Sequence, residues 1–519
     1  MKKQHIMVVI SLLGAYFAML ALLVYAESFS PVASITSIKD ALWYSVVTLT
    51  TVGYGDLAPV TTLGKIIGSV FLLLSTSLLA VLLALIMTFG QIWVRFRLAF
   101  LQGRQWFVFS TMNDATCALA QSVREENPEA VLLFPKNDSK ELTSDMKKAG
   151  AMFVKGNTAD MLELKKDDRG ISLFFMDDDG YANYNSAIDF CGKGYSVYCQ
   201  SDFAVQAPAD LTVFSTAENI ARLYWRTNPL PQTAKKVVII ADGDYTDQLL
   251  AQALQVNLYH PKQSVCYQIF APDTHFADIH PQIATMVSVN ETSPCKDSII
   301  FYKTPWEKNI DLIAQADRVI VSTCSDRENL KIYNTLTKFF VLCGDVHLRL
   351  AQHMPGIISF GNHQHIYNAA VVMRTTLTKT AVAMHRIYLD STGAVSPQWE
   401  ELPPFTRASN ISAADHLPTK IRILMEDNTI TEINSRMCMA AYEKYLQTKD
   451  SNADFYRHLE HARWMRFHAL YNWTYSPQRN NNHRMHPSMV PFENLSLSTQ
   501  KKDDYSWQLL RQLAEFLKD

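Results

Sequence analysis

A nine-residue stretch, Thr-Leu-Thr-Thr-Val-Gly-Tyr-Gly-Asp at positions 48–56, lies between two long apolar runs. The first run, Ile6 to Ala26, carries no charged residue, and about twenty residues span roughly 30 Å as a helix. The second run, about Leu63 to Trp93, is longer than a bilayer requires and should tilt or extend past the lipid. The sequence therefore predicts two membrane spans joined by a short segment.

The flanking charges predict how these spans are oriented. Lys2 and Lys3 precede the first run, and Arg95, Arg97 and Arg104 follow the second. Because positive charges collect on the cytoplasmic side, both termini and everything after the second span are expected in the cytoplasm. A cleaved signal peptide is the alternative for the first run, and the second span close behind it favours an uncleaved helix.

The segment between the spans changes character at its midpoint. Lys39 to Leu49 has the aromatic and aliphatic spacing of a short helix, whereas Gly53 and Gly55 flank Tyr54 and favour alternating backbone conformations. Extended backbone inside a bilayer persists only where protein buries it or where it lines a water-filled path. Carbonyls from Thr51 onward, with the Thr51 hydroxyl, would replace the hydration shell of a cation, and a closed pore would need four chains.

Residues 1–97 resemble the two-helix pore module of potassium channels, with the bacterial channels most similar over 41–64. The resemblance implies a K⁺-binding selectivity filter at Thr51, Val52, Gly53, Tyr54 and Gly55, with support from Trp43, Tyr44, Thr48 and Asp56. Potassium selectivity is taken from this precedent, which is the known behaviour of the motif. The implied protein is a homotetramer in the cell (inner) membrane.

Two positions depart from the channel pattern. Val47 stands where some bacterial channels carry a Glu that pairs with Asp56, so the filter should be held differently. The hinge glycine of the second helix is missing, and Ser75, Thr76 and Ser77 are the candidate gate or hinge there. Their hydroxyls would soften the helix by bonding to preceding carbonyls, and a rigid helix that tilts is equally compatible. Direct voltage sensing is not expected, since no arginine-rich helix precedes the pore.

After Gly103 the pattern becomes short β-branched and aromatic runs alternating with helical stretches, which predicts parallel βαβ units. The order begins at Trp106 and restarts at Lys236, which indicates two tandem Rossmann-like domains at about 104–230 and 235–385. The turn at 148–160 resembles that of RCK domains, the regulators of potassium conductance related to the TrkA nucleotide-binding fold. That resemblance implies eight such domains in a gating ring beneath the pore. The predicted strands are 106–110, 130–134, 151–155, 171–176, 196–200, 236–241, 265–270 and 316–322.

Neither Rossmann-like domain carries a glycine-rich dinucleotide fingerprint. Ser110, Met112 and Ala115 stand at the glycine positions of the first domain, and Ala241, Gly243 and Thr246 at those of the second. The second strands end in Phe-Pro-Lys and Phe-Ala-Pro, without an acidic residue for a ribose. NAD is therefore not expected, and a scaffolding role is favoured.

Other candidate ligands come from acidic residues and cysteines. Asp177 and Asp179, with Asp202 after the next strand, form a weak candidate for a divalent cation, and a solvated acidic loop is the favoured alternative. None of the eight cysteines shows metal-ligand spacing, so reduced, buried cysteines are expected. The net charge of −2 gives no reason to expect a nucleic-acid partner.

Residues 386–519, called the C-terminal module, are predicted to be helical. The spacing from Trp464 through Trp473-x-Tyr-x-Pro-x-Arg to His486-Pro487 resembles the RyR domain, a small repeat named after ryanodine receptors. The resemblance implies a nucleotide ligand, and the candidate binding residues are Trp473, Tyr475, Arg479 and Asn480. Alternatively, these aromatic residues fill the core of a small domain, an interpretation favoured for Trp464. His458, His461 and His468 lack a shared metal-binding face and are expected at the surface.

The function that these patterns predict is a potassium channel whose RCK-like ring and RyR-type domain open or close the pore on binding a small, nucleotide-like ligand. A defence effector against phage is one form of it, and a housekeeping channel gated by calcium, ATP or a dinucleotide is the alternative. An enzyme is not expected, since neither a glycine-rich cleft nor a catalytic pair is present. A regulatory subunit of a transporter would have no use for its own pore.

Overall fold

The computed structural model describes residues 3–50, 52–70, 104–136, 139–162, 170–202, 208, 210–288, 296–373, 375–393 and 397–517. Thr51 of the predicted filter and the candidate hinge Ser75–Ser77 lie outside these ranges. The chain divides into two compact units, Met1–Gly103 and Arg104–Asp519, called the first and second units.

The first unit consists of helices, and its elements are α1 (Lys3–Glu27), α2 (Ile38–Leu49) and α3, whose described part is 62–70. Leu20, Leu23 and Ala26 of α1 form a small core with Ala41 of α2 and Ile67 of α3. Among the described residues, no helix is both long enough and apolar enough to cross a membrane. Most of the second predicted span lies outside those residues.

The second unit contains two parallel sheets of six strands. The first consists of β1 (Trp106–Phe109), β2 (Val131–Pro135), β3 (Met152–Val154), β4 (Ile171–Phe175), β5 (Ser196–Gln200) and β6 (Leu211–Phe214). The second consists of β7 (Lys236–Ala241), β8 (Cys266–Phe270), β9 (Ser298–Phe301), β10 (Arg318–Ser322), β11 (Asp345–Arg349) and β12 (Ile358–Phe360). All eight predicted strands are present.

Both sheets have the same strand order. The first runs β3-β2-β1-β4-β5-β6, and the second runs β12-β11-β10-β7-β8-β9, which is the same order written from the other edge. This is the doubly wound Rossmann arrangement, and its repetition confirms the predicted fold of both segments. The helices of this part are α4 (Asp114–Glu126), α5 (Lys140–Lys148), α6 (Thr158–Leu162), α7 (Gly180–Ile188), α8 (Thr216–Thr227), α9 (Gly243–Val256), α10 (Phe276–Ile279), α11 (Pro281–Ser288), α12 (Ile310–Ala314), α13 (Asp326–Phe339), α14 (His363–Ile366) and α15 (Ala369–Val372).

The C-terminal module is mainly helical, as predicted, with a two-stranded ladder near its end. Its helical elements are α16 (Thr375–Thr392), α17 (Pro404–Met425), α18 (Ser435–Thr448), α19 (Ala453–Leu470), α20 (Leu497–Gln500) and α21 (Tyr505–Phe516), and its strands are β13 (Thr474–Tyr475) and β14 (Met485–His486). Short 3-10 turns of the second unit lie at Trp306–Lys308, Trp399–Glu401, Phe492–Asn494 and Lys501–Asp504.

One hydrophobic core joins the two sheets and part of the C-terminal module. It contains Phe109 of the first sheet, Ile239 of the second and Trp225 of α8, together with Met465 of α19 and Trp473. A second core lies within the module around α17, α18, α19 and α21, where Trp507 is fully buried. The second unit is therefore more continuous than the predicted division at 230 and 385 implies.

Candidate functional site

The helix that precedes the glycine pair is fixed at its start and along one face. Ser37 caps α2, because its Oγ accepts from the Asp40 amide at 3.2 Å while the Asp40 carboxylate accepts from the Ser37 amide at 2.8 Å. On its buried face, the Ser45 hydroxyl lies 2.6 Å from the Tyr16 hydroxyl of α1. These contacts fix the position of α2, whose carboxyl end leads into the glycine-containing loop.

The loop after α2 has the alternating backbone that the two glycines predict. Gly53 and Gly55 have φ values of +61° and +74°, in the left-handed region that side-chain-bearing residues avoid. The amides of Val52 and Gly53 both donate to the Val47 carbonyl, at 3.1 and 3.2 Å. Val47 itself is buried, so this position holds the loop through its backbone rather than through a carboxylate.

An aromatic side chain of α2 supports the far side of the loop. Trp43 Nε1 donates to Asp56 Oδ2 at 2.8 Å, and the Trp43 ring lies parallel to the Tyr54 ring at a centroid distance of 6.3 Å. Tyr44 points elsewhere, since its hydroxyl lies 3.1 Å from where a Cβ on Gly68 of α3 would be. The structure thus brings Trp43, Tyr54 and Asp56 together, and Tyr44 packs between α2 and α3.

Glu27 is a structural residue that the sequence analysis missed. Its buried carboxylate accepts from the Val60 and Thr61 amides at 2.9 and 3.0 Å and from the Thr61 hydroxyl at 2.8 Å. A Cβ on Gly64 would lie 2.0 Å from Glu27 Oε1, so only glycine fits there. Its partners lie more than thirty positions away, so no local pattern in the sequence pointed to this contact.

Large apolar side chains of the first unit are exposed in the single chain. They include Val52 and Tyr54 in the loop after α2, and residues on all three helices. The Tyr54 side chain is 70% exposed. Such a surface is typical of a face that another copy or lipid covers. The exposed residues are Phe17, Leu22, Tyr25, Phe29, Val32, Ile38, Leu42, Trp43, Val46, Val52, Tyr54, Val60, Leu63, Ile66 and Val70.

The first Rossmann cleft is closed by its own side chains. Asn113 caps α4 and donates its Nδ2 to the Met176 carbonyl at 2.7 Å, which ties the ends of β1 and β4 together. Met112, at a glycine position of the fingerprint, is buried in the core. The amides of Asn113 and Thr116 at the start of α4 therefore already have side-chain partners where a pyrophosphate would need donors.

The second cleft is closed by backbone and by negative charge. A Cβ on Gly243 would lie 2.7 Å from the Asp273 carbonyl oxygen, so the loop after β8 covers the start of α9. Asp242 and Asp244 flank Gly243, and the Asp242 carboxylate accepts from the Cys324 amide. These carboxylates oppose a phosphate at this helix terminus.

The acidic residues after β4 serve local structure. Asp179 caps α7 by accepting from the Tyr181 and Ala182 amides, Asp177 accepts from the Asp178 amide, and Asp202 accepts from the Ser215 hydroxyl. Among the described residues, no group of three or more His, Cys, Asp or Glu side chains is placed to hold a metal ion. The structure therefore does not assemble Asp177, Asp179 and Asp202 into a cation site.

The candidate ligand residues of the C-terminal module separate into buried and exposed ones. Trp473 is buried and stacks on Phe405 at a centroid distance of 5.1 Å, whereas Tyr475 is more than half exposed. Arg479 is exposed and donates its Nε to Asn481, and the Asn480 backbone pairs with Met485. Burial favours a core role for Trp473, while Tyr475 and Arg479 remain accessible to a ligand.

Two histidines that were expected at the surface are buried instead. His461 and His468 contact the carbonyls of Val490 and Trp464 at 2.8 and 2.9 Å, and burial lowers the pKa of His468 to about 3. The prediction was wrong because α19 packs against helices α9 and α11 of the second Rossmann domain as well as against the rest of its module. The cysteine prediction was also wrong for Cys324 and Cys343, which are exposed.

Buried polar contacts attach α19 to the second sheet's domain. Arg466 pairs with Asp297 at 2.8 Å, with both side chains about 1% exposed, and it also donates to the Leu254 carbonyl at 3.0 Å. At the end of α19, His280 Nδ1 lies 2.6 Å from the Leu470 carbonyl oxygen, and Asn472 donates to the Ile279 carbonyl at 2.8 Å. These contacts hold α19 against the second Rossmann domain.

A buried charged cluster stabilises the inside of the module. Glu460 accepts from Lys420 at 2.6 Å and from Arg463 at 2.7 Å, and these two cations lower the pKa of Glu460. Asp503 lies beside this cluster, where burial and the neighbouring Glu460 raise its pKa to about 7. The opposite charges of Glu460, Lys420 and Arg463 therefore balance one another where little solvent reaches them.

Residues 6–91 match a protein family described as "Ion channel". Over 61 residues, or 12% of the chain, the sequence is 48% identical to a voltage-gated potassium channel of Aeropyrum pernix, of which the match covers 21%. Over 45 residues it is 56% identical to the human potassium voltage-gated channel subfamily A member 4, of which the match covers 7%. The chain thus spans about a fifth or less of the length of these relatives, and its first unit carries an ion channel domain related to potassium channels.

Solved structures of GsuK are also similar over a larger part of the chain. A GsuK channel structure covers 72% of this chain and 98% of its own at 15% identity, with a TM-score of 0.36. A GsuK structure bound to ADP covers 70% and 96% at 13% identity, with a TM-score of 0.34. Both scores are too low to support an inference about this chain.

Proposed function

We propose that four copies of this chain form a potassium-selective channel in the cell membrane, gated by their cytoplasmic second units. The observation that carries the proposal is the loop after α2, where two glycines of positive φ flank Tyr54 and Trp43 bonds to Asp56 behind them. In four copies, the carbonyls from Thr51 to Tyr54 would line one axis and replace the hydration shell of K⁺. The homology of 6–91 to potassium channels supports the same function.

The exposed apolar surface of the first unit supports a tetramer in lipid. Val52, Tyr54 and Trp43 would contact neighbouring copies around the axis, and the outward faces of α1 and α3 would contact acyl chains. Apolar α1, with the second run at 63–93, would supply the two spans of each subunit.

The second unit would supply the control of the pore. Its two Rossmann domains share one core with α19, so a ligand on the C-terminal module would move both domains together. The resemblance to RCK and RyR domains supports gating by a small nucleotide-like molecule, and exposed Tyr475 and Arg479 fit a stacked base and a phosphate.

Ion flux into liposomes tests the channel proposal. We expect purified protein, once opened, to pass potassium in strong preference to sodium, as measured with ion-sensitive dyes under matched gradients. Equal flux of both ions through the unmutated protein would contradict the filter assignment.

A screen of nucleotides, cyclic nucleotides and calcium against this flux tests the control by ligand. Deleting 386–519 is unsuitable, because α19 belongs to the shared core. The exposed side chains allow a milder test, and Tyr475→Ala with Arg479→Ala should weaken the response to the ligand while basal selectivity stays unchanged. An unaltered response would show that the gating ligand does not bind at the surface of β13 and β14.

A further inference from the structure

An open cavity of about 630 Å³ lies at the edge of the second sheet opposite its Rossmann cleft. Lys235 comes just before β7, and Ser264 just before β8, so the cavity borders the amino ends of these parallel strands. Nucleotides of doubly wound folds bind at the carboxyl ends, which makes this a separate location. Its volume falls within the range of about 300–1,000 Å³ that small-molecule sites occupy.

Three parts of the second unit meet at this cavity. Gln232 to Lys235 belong to the connection between the two Rossmann domains, and Tyr259 to Ser264 form the loop between α9 and β8. The C-terminal module adds Ile423, Glu426 and Asn428 after or near the end of α17, and Phe455 at the start of α19. A molecule bound here would contact the segment that connects the two Rossmann domains and, at the same time, the C-terminal module.

The charges of the lining are asymmetric. Lys235 and Lys262 are exposed and come from the sheet side, and Glu426, from the module side, is the one carboxylate among the described residues that line the cavity. Burial and Lys262 hold the pKa of His260 below its usual range. The two exposed ammonium groups of Lys235 and Lys262 on one side suit a phosphate.

The remaining lining residues suit a flat polar ring. The His260 and Phe455 rings lie 5.4 Å apart at 43°, one from each side of the cavity, so a planar group has aromatic surface available. Gln232 donates to Asn428 through one exposed, long bond of 3.3 Å, which a ligand edge can replace. Glu426 has a φ of +54°, a conformation uncommon for a residue with a side chain, and it projects an acceptor at this rim.

We propose that this cavity binds a nucleoside phosphate, with the phosphate at Lys235 and Lys262 and the base against Phe455 and His260. The Glu426 carboxylate would then accept hydrogen bonds from the sugar or the base. The side-chain amides of Gln232 and Asn428 would donate to or accept from the same edges. The assignment adds a second ligand site to the proposed function, separate from the surface of β13 and β14 that carries Tyr475 and Arg479, and it rests on that function for its purpose alone. Binding and ion flux are separate measurements, so either can fail without the other.

Calorimetry on the full chain in lipid nanodiscs tests the site directly. AMP, ADP, ATP and cyclic AMP serve as probes, with inorganic phosphate as the ringless comparison. We expect at least one nucleotide to bind once per chain, and Lys235→Ala with Lys262→Ala to raise its Kd about tenfold or more. Phe455→Leu should weaken the nucleotide and leave any binding of phosphate unchanged.

Matched variants separate this site from the other candidates. Lys303→Ala, at an exposed lysine of the same domain outside the cavity, should leave the Kd unchanged. Tyr475→Ala with Arg479→Ala should also leave it unchanged, and loss of binding there would overturn the assignment in favour of the β13–β14 surface. Absence of binding by all four nucleotides, unchanged binding in the double lysine variant, or equal affinity for inorganic phosphate would each overturn it too.

Discussion

The first unit and the C-terminal module depart in opposite ways from the usual placement of apolar side chains inside a protein and charged side chains outside it. The first unit exposes large apolar groups, such as Tyr25 at 62% and Ile66 at 58%, whereas the module buries charged ones, such as Lys420 and Arg463. Exposed apolar surface has to be covered by something outside the chain, but a buried charge must be matched inside it. We therefore expect the first unit to depend on assembly or lipid, and the module to depend on its internal pairing.

The largest effect that sharpens this contrast is expected from Gly53→Val in the first unit. A β-branched residue disfavours the φ of +61° there, so the carbonyls of the loop would turn and potassium flux into liposomes should vanish. Among the described residues of one chain, no heavy atom lies within 4 Å of the Cβ position, so within the subunit the loss would come from the backbone rather than from a clash. Gly14→Val is the matched control, since Gly14 is helical with equally open space, and it should keep its flux.

In the module, Arg466→Met should produce the largest loss of stability. The substitution leaves Asp297 buried without its cation, and breaking such a pair costs about 3–5 kcal/mol in the free energy of unfolding. Urea unfolding followed by tryptophan fluorescence measures it. Arg511→Met, which breaks an exposed pair with Glu515, should cost about 0–1 kcal/mol. Equal losses in both variants would remove the contrast between the two regions.

Asp503 should make the free energy of unfolding of the module depend on pH. Its folded pKa of about 7 lies above its unfolded value, so the folded state holds a proton that the unfolded state releases between about pH 4 and 7. The stability from this group is present at low pH and lost as the pH rises through 7. Wild-type protein should lose about 2 kcal/mol more than Asp503→Asn between pH 5 and 8 in urea unfolding. Parallel pH profiles would contradict the raised pKa.

The smallest expected effect belongs to Trp43→Phe, which keeps an aromatic ring and removes the bond from Nε1 to Asp56. Loss of that bond should lower the stability of the assembled protein by about 1 kcal/mol in thermal unfolding with potassium present. In an Asp56→Asn background, the same substitution should cost less, because the charged acceptor is already gone. Additive losses would show that Trp43 acts through packing alone.

Prediction from sequence worked best where the determining contacts are local. The glycine pair specifies its own backbone, so the positive φ values of Gly53 and Gly55 could be anticipated from the residues, whereas Trp43 and Asp56 were assigned from the resemblance to potassium channels. The central strands of both sheets were predicted from β-branched and aromatic runs. The predicted tetramer, ligand and membrane orientation remain predictions.

The missed features depend on contacts between distant segments. β6, β9, β11 and β12 lie toward the sheet edges, and β11 reads Asp-Val-His-Leu-Arg, a mixed pattern whose burial comes from neighbouring elements. His461 and His468 were assigned to the surface because a helix pattern alone does not reveal that α19 is covered on several sides. Glu27 was overlooked because its partners Val60 and Thr61 are more than thirty positions away.

The connection between the two Rossmann domains has a mechanical consequence. Arg318 of β10 donates to the carbonyls of Asn228 and Pro229 at 2.7 and 3.2 Å, and Leu230 of the same connection is buried in the shared core. These attachments remove the hinge that a tandem duplication would otherwise leave between its halves. In the proposed ring of four chains there would then be four moving bodies instead of eight, and each proposed binding event would displace a quarter of the ring at once.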